Sequence, residues 1–98
     1  MPRSPRDSEV ELQFEIALDR AEAASRFLNL ASFSAKGDMP RWIRGAKDEL
    51  DAAIFALRMA ELRVDVWDNG RWSGLILRLH RMVARYVEEA KKLHRGIN

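Results

Sequence analysis

Residues 72–93 carry an apolar stripe that constrains the fold of this chain more than any other part of its sequence. The apolar side chains recur at intervals of three and four: Trp72, Leu75, Ile76, Leu79, Met82, Val83, Tyr86, Val87, Ala90 and Leu93. This spacing is typical of one face of an α-helix. Basic residues occupy the opposite side, so we predict an amphipathic helix over residues 71–95, with Gly96 as its terminator.

Two earlier segments have the same periodicity. In residues 8–34 the main apolar face consists of Val10, Phe14, Ala17, Leu18, Ala21, Ala24, Leu28 and Ala31. In residues 39–66 it consists of Trp42, Ile43, Ala46, Leu50, Ala53, Ile54, Leu57, Ala60 and Val64. Both segments are long enough to form helices of many turns, so the sequence predicts two further amphipathic helices.

Short polar residues and glycines mark the expected ends of these two helices. Asp7 or Ser8 can cap the first helix, and Asp38 can cap the second. Gly37 can take the left-handed conformation that ends a helix, and Pro40 is tolerated in a first turn.

These three segments predict an all-α fold, an antiparallel three-helix bundle in up-down-up order with helices at residues 8–34, 39–66 and 71–95. Short connections make sequential helices antiparallel neighbours. Residues 1–7 hold two prolines and two arginines and nothing to bury, so we expect a disordered arm before a single domain at residues 8–98.

The connection before the third helix allows an alternative. Asp68-Asn69-Gly70 is a strong hairpin turn signal, and Val64 and Val66 alternate with charged residues before it. A lone two-stranded ribbon is only marginally stable in water, and helical spacing holds on both sides. We therefore favour a turn between two helices.

The first two helices each carry a second apolar row, which a three-helix bundle does not need. We expect these rows to be the partner-binding surface, with seven residues in it: Ile16, Phe27, Leu30, Phe55, Met59, Leu62 and Val66. Pairing of two copies through a two-fold axis would cover them and complete the bundle as a homodimer. Helix crossing within one chain and a different protein partner are the alternatives.

The charge of the last third suggests a second kind of partner. Residues 70–98 contain seven Lys and Arg against two Glu, a net of +5. The candidate nucleic-acid contacts are Arg71, Arg78, Arg81 and Arg85, because guanidinium groups suit phosphate binding. No aromatic residue is interleaved with them on that helix face to stack on bases, because Trp72 and Tyr86 point to the core side, and no short recognition helix is evident.

An acidic stripe on the first helix mirrors this basic face. It consists of Glu11, Glu15, Asp19 and Glu22, opposite the main apolar face. It could meet the basic helix across a subunit boundary, or dock a basic protein. A solvated surface is the plain interpretation.

The sequence offers little for catalysis or for metal binding. The chain has no cysteine, and its two histidines, His80 and His94, are fourteen residues apart, about 21 Å along a helix. Asp48, Glu49 and Asp51 lie on different sides of their helix. We therefore expect no catalytic residues, no metal, no cofactor and no small-molecule substrate.

Location and class follow from the same composition. No apolar run approaches the ~20 residues that a membrane helix needs, and Met1 to Ser8 lack the apolar region of a secretory signal, so we expect a cytoplasmic protein. The sequence predicts a small non-enzymatic protein–protein interaction module of adaptor, accessory or inhibitor type, of the size of small bacterial or phage proteins. The alternative is a nucleic-acid-associated helical protein.

Overall fold

The computed structural model describes residues 5–64 and 69–97, with residues 5–7, 69, 71 and 97 described by their backbone alone. The described residues form three helices: α1 (Pro5–Phe33), α2 (Met39–Arg63) and α3 (Asn69–Ile97). They contain no β-strand and pack as a rod of 53 × 18 × 17 Å. The predicted all-α three-helix bundle is confirmed.

The helix ends differ from the predicted ones by a few residues. The helix α1 begins at Pro5, so Asp7 and Ser8 lie inside its first turn rather than at its cap; a proline suits this position because its missing N–H would be unpaired anyway. Residues 1–4 of the predicted arm lie outside the described part of the chain. The helix α3 continues to Ile97, so Gly96 does not end it.

The connection between α1 and α2 does not use the predicted caps. No described glycine has a positive φ, and α1 ends at Phe33, before Gly37 is reached. Asp38 is at the N-cap of α2, but its side chain makes no capping hydrogen bond. Backbone bonds close the turn instead: the N–H groups of Asp38 and Met39 both donate to Ala35 O.

The connection between α2 and α3 joins two helices. The helix α2 ends at Arg63, three residues before the predicted end, and Val64 N–H donates to Ala60 O and Glu61 O. Asn69 already belongs to α3, so in the described residues no second strand follows the hairpin signal. Residues 65–68, and with them Val66, lie outside the described part.

Alanines form the contact between α1 and α2. Eight alanines on these two helices are almost fully buried: Ala17, Ala21, Ala24, Ala31, Ala46, Ala53, Ala56 and Ala60. A methyl side chain lets two helix backbones approach closely, and these two helices make more close backbone contacts than either makes with α3. We therefore regard the α1–α2 hairpin as the most tightly packed part of the bundle.

Larger side chains seat α3 on this hairpin. At one end of the rod Phe14 packs on Trp72, with ring centroids 5.4 Å apart, and Leu57 and Leu79 belong to the same buried cluster. At the other end Val83 and Ala90 join a second cluster around the α1–α2 alanines. Open grooves border α3 on both sides, one with Glu11 and Leu75 in its walls and one with Arg58 and Glu88.

Candidate protein-interaction surface

Three apolar side chains on the solvent side of α2 form what we call the α2 outer face: Phe55, Met59 and Leu62. Phe55 is 67% exposed and Leu62 is 80% exposed, whereas Met59 is half-buried. The direction in which these side chains point follows from the position of Leu57, which is buried on the core side of the same helix. At 3.6 residues per turn, Phe55 is rotated about 160° from Leu57 and so points away from the core.

The second apolar row of α1 is used partly within the chain. Phe27 lies over Gly45, where an added Cβ would be 3.0 Å from the ring, and it packs beside Trp42 with ring centroids 6.1 Å apart. Ile16 packs against the core cluster at the Trp72 end. Of this row, Leu30 is 46% exposed. Packing between the helices of one chain, which was the alternative to a partner, therefore covers much of the Ile16 and Phe27 side chains.

Leu12 is a further exposed apolar residue, although it was not among the predicted partner-binding residues. It is 53% exposed. Two contacts set the antiparallel register of α1 and α2: Glu9 pairs with Arg63 at 3.4 Å, and Phe27 lies on Gly45. In this register Leu12 is level with Met59 along the rod. The sequence signal was present, since Leu12 precedes Ile16 by four residues. The Leu18 side chain, predicted as core, is also exposed and lies at the α1–α3 groove.

The predicted phosphate-binding arginines lie on the outside of α3. Arg78, Arg81 and Arg85 are all exposed, and the Arg71 side chain lies outside the described part. Arg85 Nε is 3.5 Å from Glu89 Oε1, so one guanidinium already has a carboxylate beside it.

The acidic stripe of α1 lies beside α3 in the same chain. Glu11 and Glu15 line the α1–α3 groove, a cavity of about 310 Å³, together with Trp72 and Leu75. Glu11 and Glu15 are thus neighbours of α3 within one copy, and the contact of acidic and basic helices across a subunit boundary stays a prediction. This arrangement lowers the positive potential on that flank of α3.

Two further polar contacts join neighbouring helices at the surface. His80 Nε2 is 2.5 Å from Glu61 Oε1, a contact between α3 and α2, and Glu49 Oε2 accepts a hydrogen bond from Arg20 at 3.2 Å. Within the described residues no group of three acidic, histidine or cysteine side chains could hold a metal ion. None of the described helices has the length and apolar character required to span a bilayer.

Comparison with known proteins gives no relative: no protein-family model, no curated protein and no solved structure matches the chain. A function has to be inferred from the surface of the molecule itself.

Proposed function

We propose that this chain is a small helical protein–protein interaction module of adaptor, accessory or inhibitor type, which self-associates or binds a protein partner through the α2 outer face. The observation that supports this is the exposure of Phe55 and Leu62 on one side of a long, otherwise well-packed helix. Burying a side chain of this size stabilises a complex by about 1.5–3 kcal/mol. A cytoplasmic location belongs to the same proposal and suits a chain without cysteine.

The total surface of the chain is larger than that of a compact monomer of the same mass. The accessible surface is 6852 Å² for a mass of 11.3 kDa. A compact monomer of that mass is expected to expose about 5,700 Å². The excess of roughly 1,100 Å² follows from the elongated shape of the chain.

Glutamate substitutions on the α2 outer face test this proposal. Phe55→Glu should abolish association and Leu62→Glu should weaken it, measured as mass by light scattering, and both should leave the helical circular dichroism signal unchanged because neither side chain is in the core. Leu77→Glu is the matched control, since Leu77 is an exposed leucine on α3. If Phe55→Glu behaves like Leu77→Glu, the α2 outer face is not the interface.

A second candidate function is supported by the arginines of α3. Arg78, Arg81 and Arg85 are exposed on one side of a single helix, with Leu77 beside them. We propose as the alternative that they bind the phosphates of a nucleic acid. Three such contacts would lower the affinity about 40-fold between 50 and 200 mM salt.

Charge reversal separates this alternative from the first proposal. Arg78→Glu combined with Arg85→Glu should abolish binding to a labelled duplex, with Arg26→Glu and Arg41→Glu on the other helices as a control of equal charge. An affinity that does not change between low and physiological salt would contradict the nucleic-acid function.

A further inference from the structure

We infer that the partner of the α2 outer face is a second copy of this chain, docked with the two α2 helices antiparallel and a two-fold axis beside Phe55. This inference rests on the proposed function and specifies its partner. It is supported by the charges that border the α2 outer face.

Three charged residues of alternating sign follow one edge of this face. Arg44, Asp51 and Arg58 are seven residues apart, which is close to two helical turns, so they line up along α2. All three are exposed. Asp51 lies about 10.5 Å along the axis from each arginine. Helical side chains form ion pairs when they are three or four residues apart, so these three side chains are too far apart to pair with one another. The sequence continues the alternation at Asp65.

These three charged side chains, Arg44, Asp51 and Arg58, form no ion pair with one another or with their neighbours in the described residues. Glu88 borders the same α2–α3 groove as Arg58, but it lies beside Lys91 Nζ at 3.5 Å. The alternating edge is therefore available to another molecule.

An antiparallel copy of α2 satisfies this edge. Asp51 and Arg58 are equidistant from a point between residues 54 and 55. A two-fold axis at that point places Asp51 opposite Arg58 of the second copy, and Arg58 opposite Asp51 of the second copy. Such reciprocity is what an isologous contact requires. A stretch with one sign of charge would not have this self-complementarity.

The same axis brings the apolar residues together. Phe55 lies beside its own copy at the centre, and Ala52 lies within about 3 Å of Met59 of the second copy along the helix axis. Leu62 lies at the rim, about 1.5 Å along the axis from the exposed Asp48 of the second copy, so it contributes less than Phe55. A register centred between Arg58 and Met59 would pair Phe55 with Leu62 but would set Arg58 beside Arg58 of the second copy, which like-charge repulsion disfavours.

A charge swap tests the pairing. Asp51→Arg and Arg58→Asp should each weaken the dimer about tenfold, measured by sedimentation equilibrium at low salt, because each creates two like-charge contacts. The double variant Asp51→Arg/Arg58→Asp has the wild-type net charge and should return to within about threefold of the wild-type affinity. Glu22→Arg, with the same change in charge as Asp51→Arg but on α1, should have little effect.

Cysteine cross-linking tests the register, and the absence of native cysteine makes each result unambiguous. Phe55→Cys should form a disulfide with its own copy, whereas Leu62→Cys should not, because its copies would be about 22 Å apart along the helices. An equal mixture of Ala52→Cys and Met59→Cys chains keeps Phe55 in place, and should give a cross-linked heterodimer.

The outcomes separate the inference from the proposed function. Recovery of the dimer by the double variant, together with the Ala52→Cys–Met59→Cys cross-link, supports the antiparallel arrangement. A dimer that Phe55→Glu disrupts but the double variant does not restore overturns this arrangement and leaves the α2 outer face as the interface. A wild-type chain that is monomeric at all concentrations overturns the inference.

Discussion

At the scale of single residues, two glycines differ in what a methyl group would meet. A Cβ on Gly74, inside α3, has nothing within 4 Å, whereas a Cβ on Gly45 would lie 3.0 Å from the Phe27 ring. We expect Gly74→Ala to raise the free energy of unfolding by about 0.5–1 kcal/mol, the usual gain for alanine inside a helix. Gly45→Ala should fall clearly short of that gain, because the ring must move. Urea denaturation measures both, and equal gains would contradict the packing of Phe27 on Gly45.

Two leucines five residues apart on α2 provide a second contrast. Leu57 is 1% exposed and Leu62 is 80% exposed. Leu57→Ala should lower the free energy of unfolding by about 2–5 kcal/mol, since it leaves a cavity in the core. Leu62→Ala should change it by less than about 0.5 kcal/mol in the dissociated chain. The pair can be compared by urea denaturation at low protein concentration, and a large loss for Leu62→Ala would mean that it belongs to the core.

At the scale of helices, α3 is seated less tightly than α1 and α2 are seated on each other. The alanine contact brings α1 and α2 close, whereas grooves border α3 on both sides. We expect the backbone amides in the middle of α3, around Val83, to exchange with solvent faster than those around Ala21 and Ala53, because local opening follows the density of buried contacts. Hydrogen exchange by mass spectrometry measures this, and equal protection of all three helices would contradict it.

The helices also show what sequence periodicity can and cannot predict. It identified the three helices and the buried row of α3, including Leu79 and Val83, because burial follows the helical repeat. It predicted the end of α1 to within one residue, but it wrongly made Gly37 and Gly96 helix terminators, because several local geometries can close a turn and the sequence does not select among them. The packing of Phe27 on Gly45 depends on how two helices cross, which the repeat of one helix does not contain.

The candidate surface was predictable in part. Phe55 and Leu62 form an apolar row that is surplus to one core-facing stripe, and the structure places both in solvent. Ile16 and Phe27 met the same criterion, yet they pack partly within the chain. Surplus apolar character therefore marks candidates for an interface, and only the three-dimensional packing separates residues that a neighbouring helix covers from those that stay exposed.

At the scale of the whole molecule, the rod keeps its core on one side of α2 and presents apolar side chains on the other. Its length of 53 Å exceeds its width about threefold, so a lateral contact along α2 offers more area than an end-to-end contact. A second copy placed along α2 would cover the α2 outer face while leaving the arginines of α3 in solvent. Self-association and a charged outer surface are thus compatible in one molecule.

The measurement that tests self-association most directly is the mass of the wild-type chain in solution, by sedimentation equilibrium over a wide range of concentrations. If two copies associate through the α2 outer face, the mass should rise toward twice 11.3 kDa as the concentration increases. A mass that stays at 11.3 kDa at every concentration would contradict self-association through Phe55 and its neighbours.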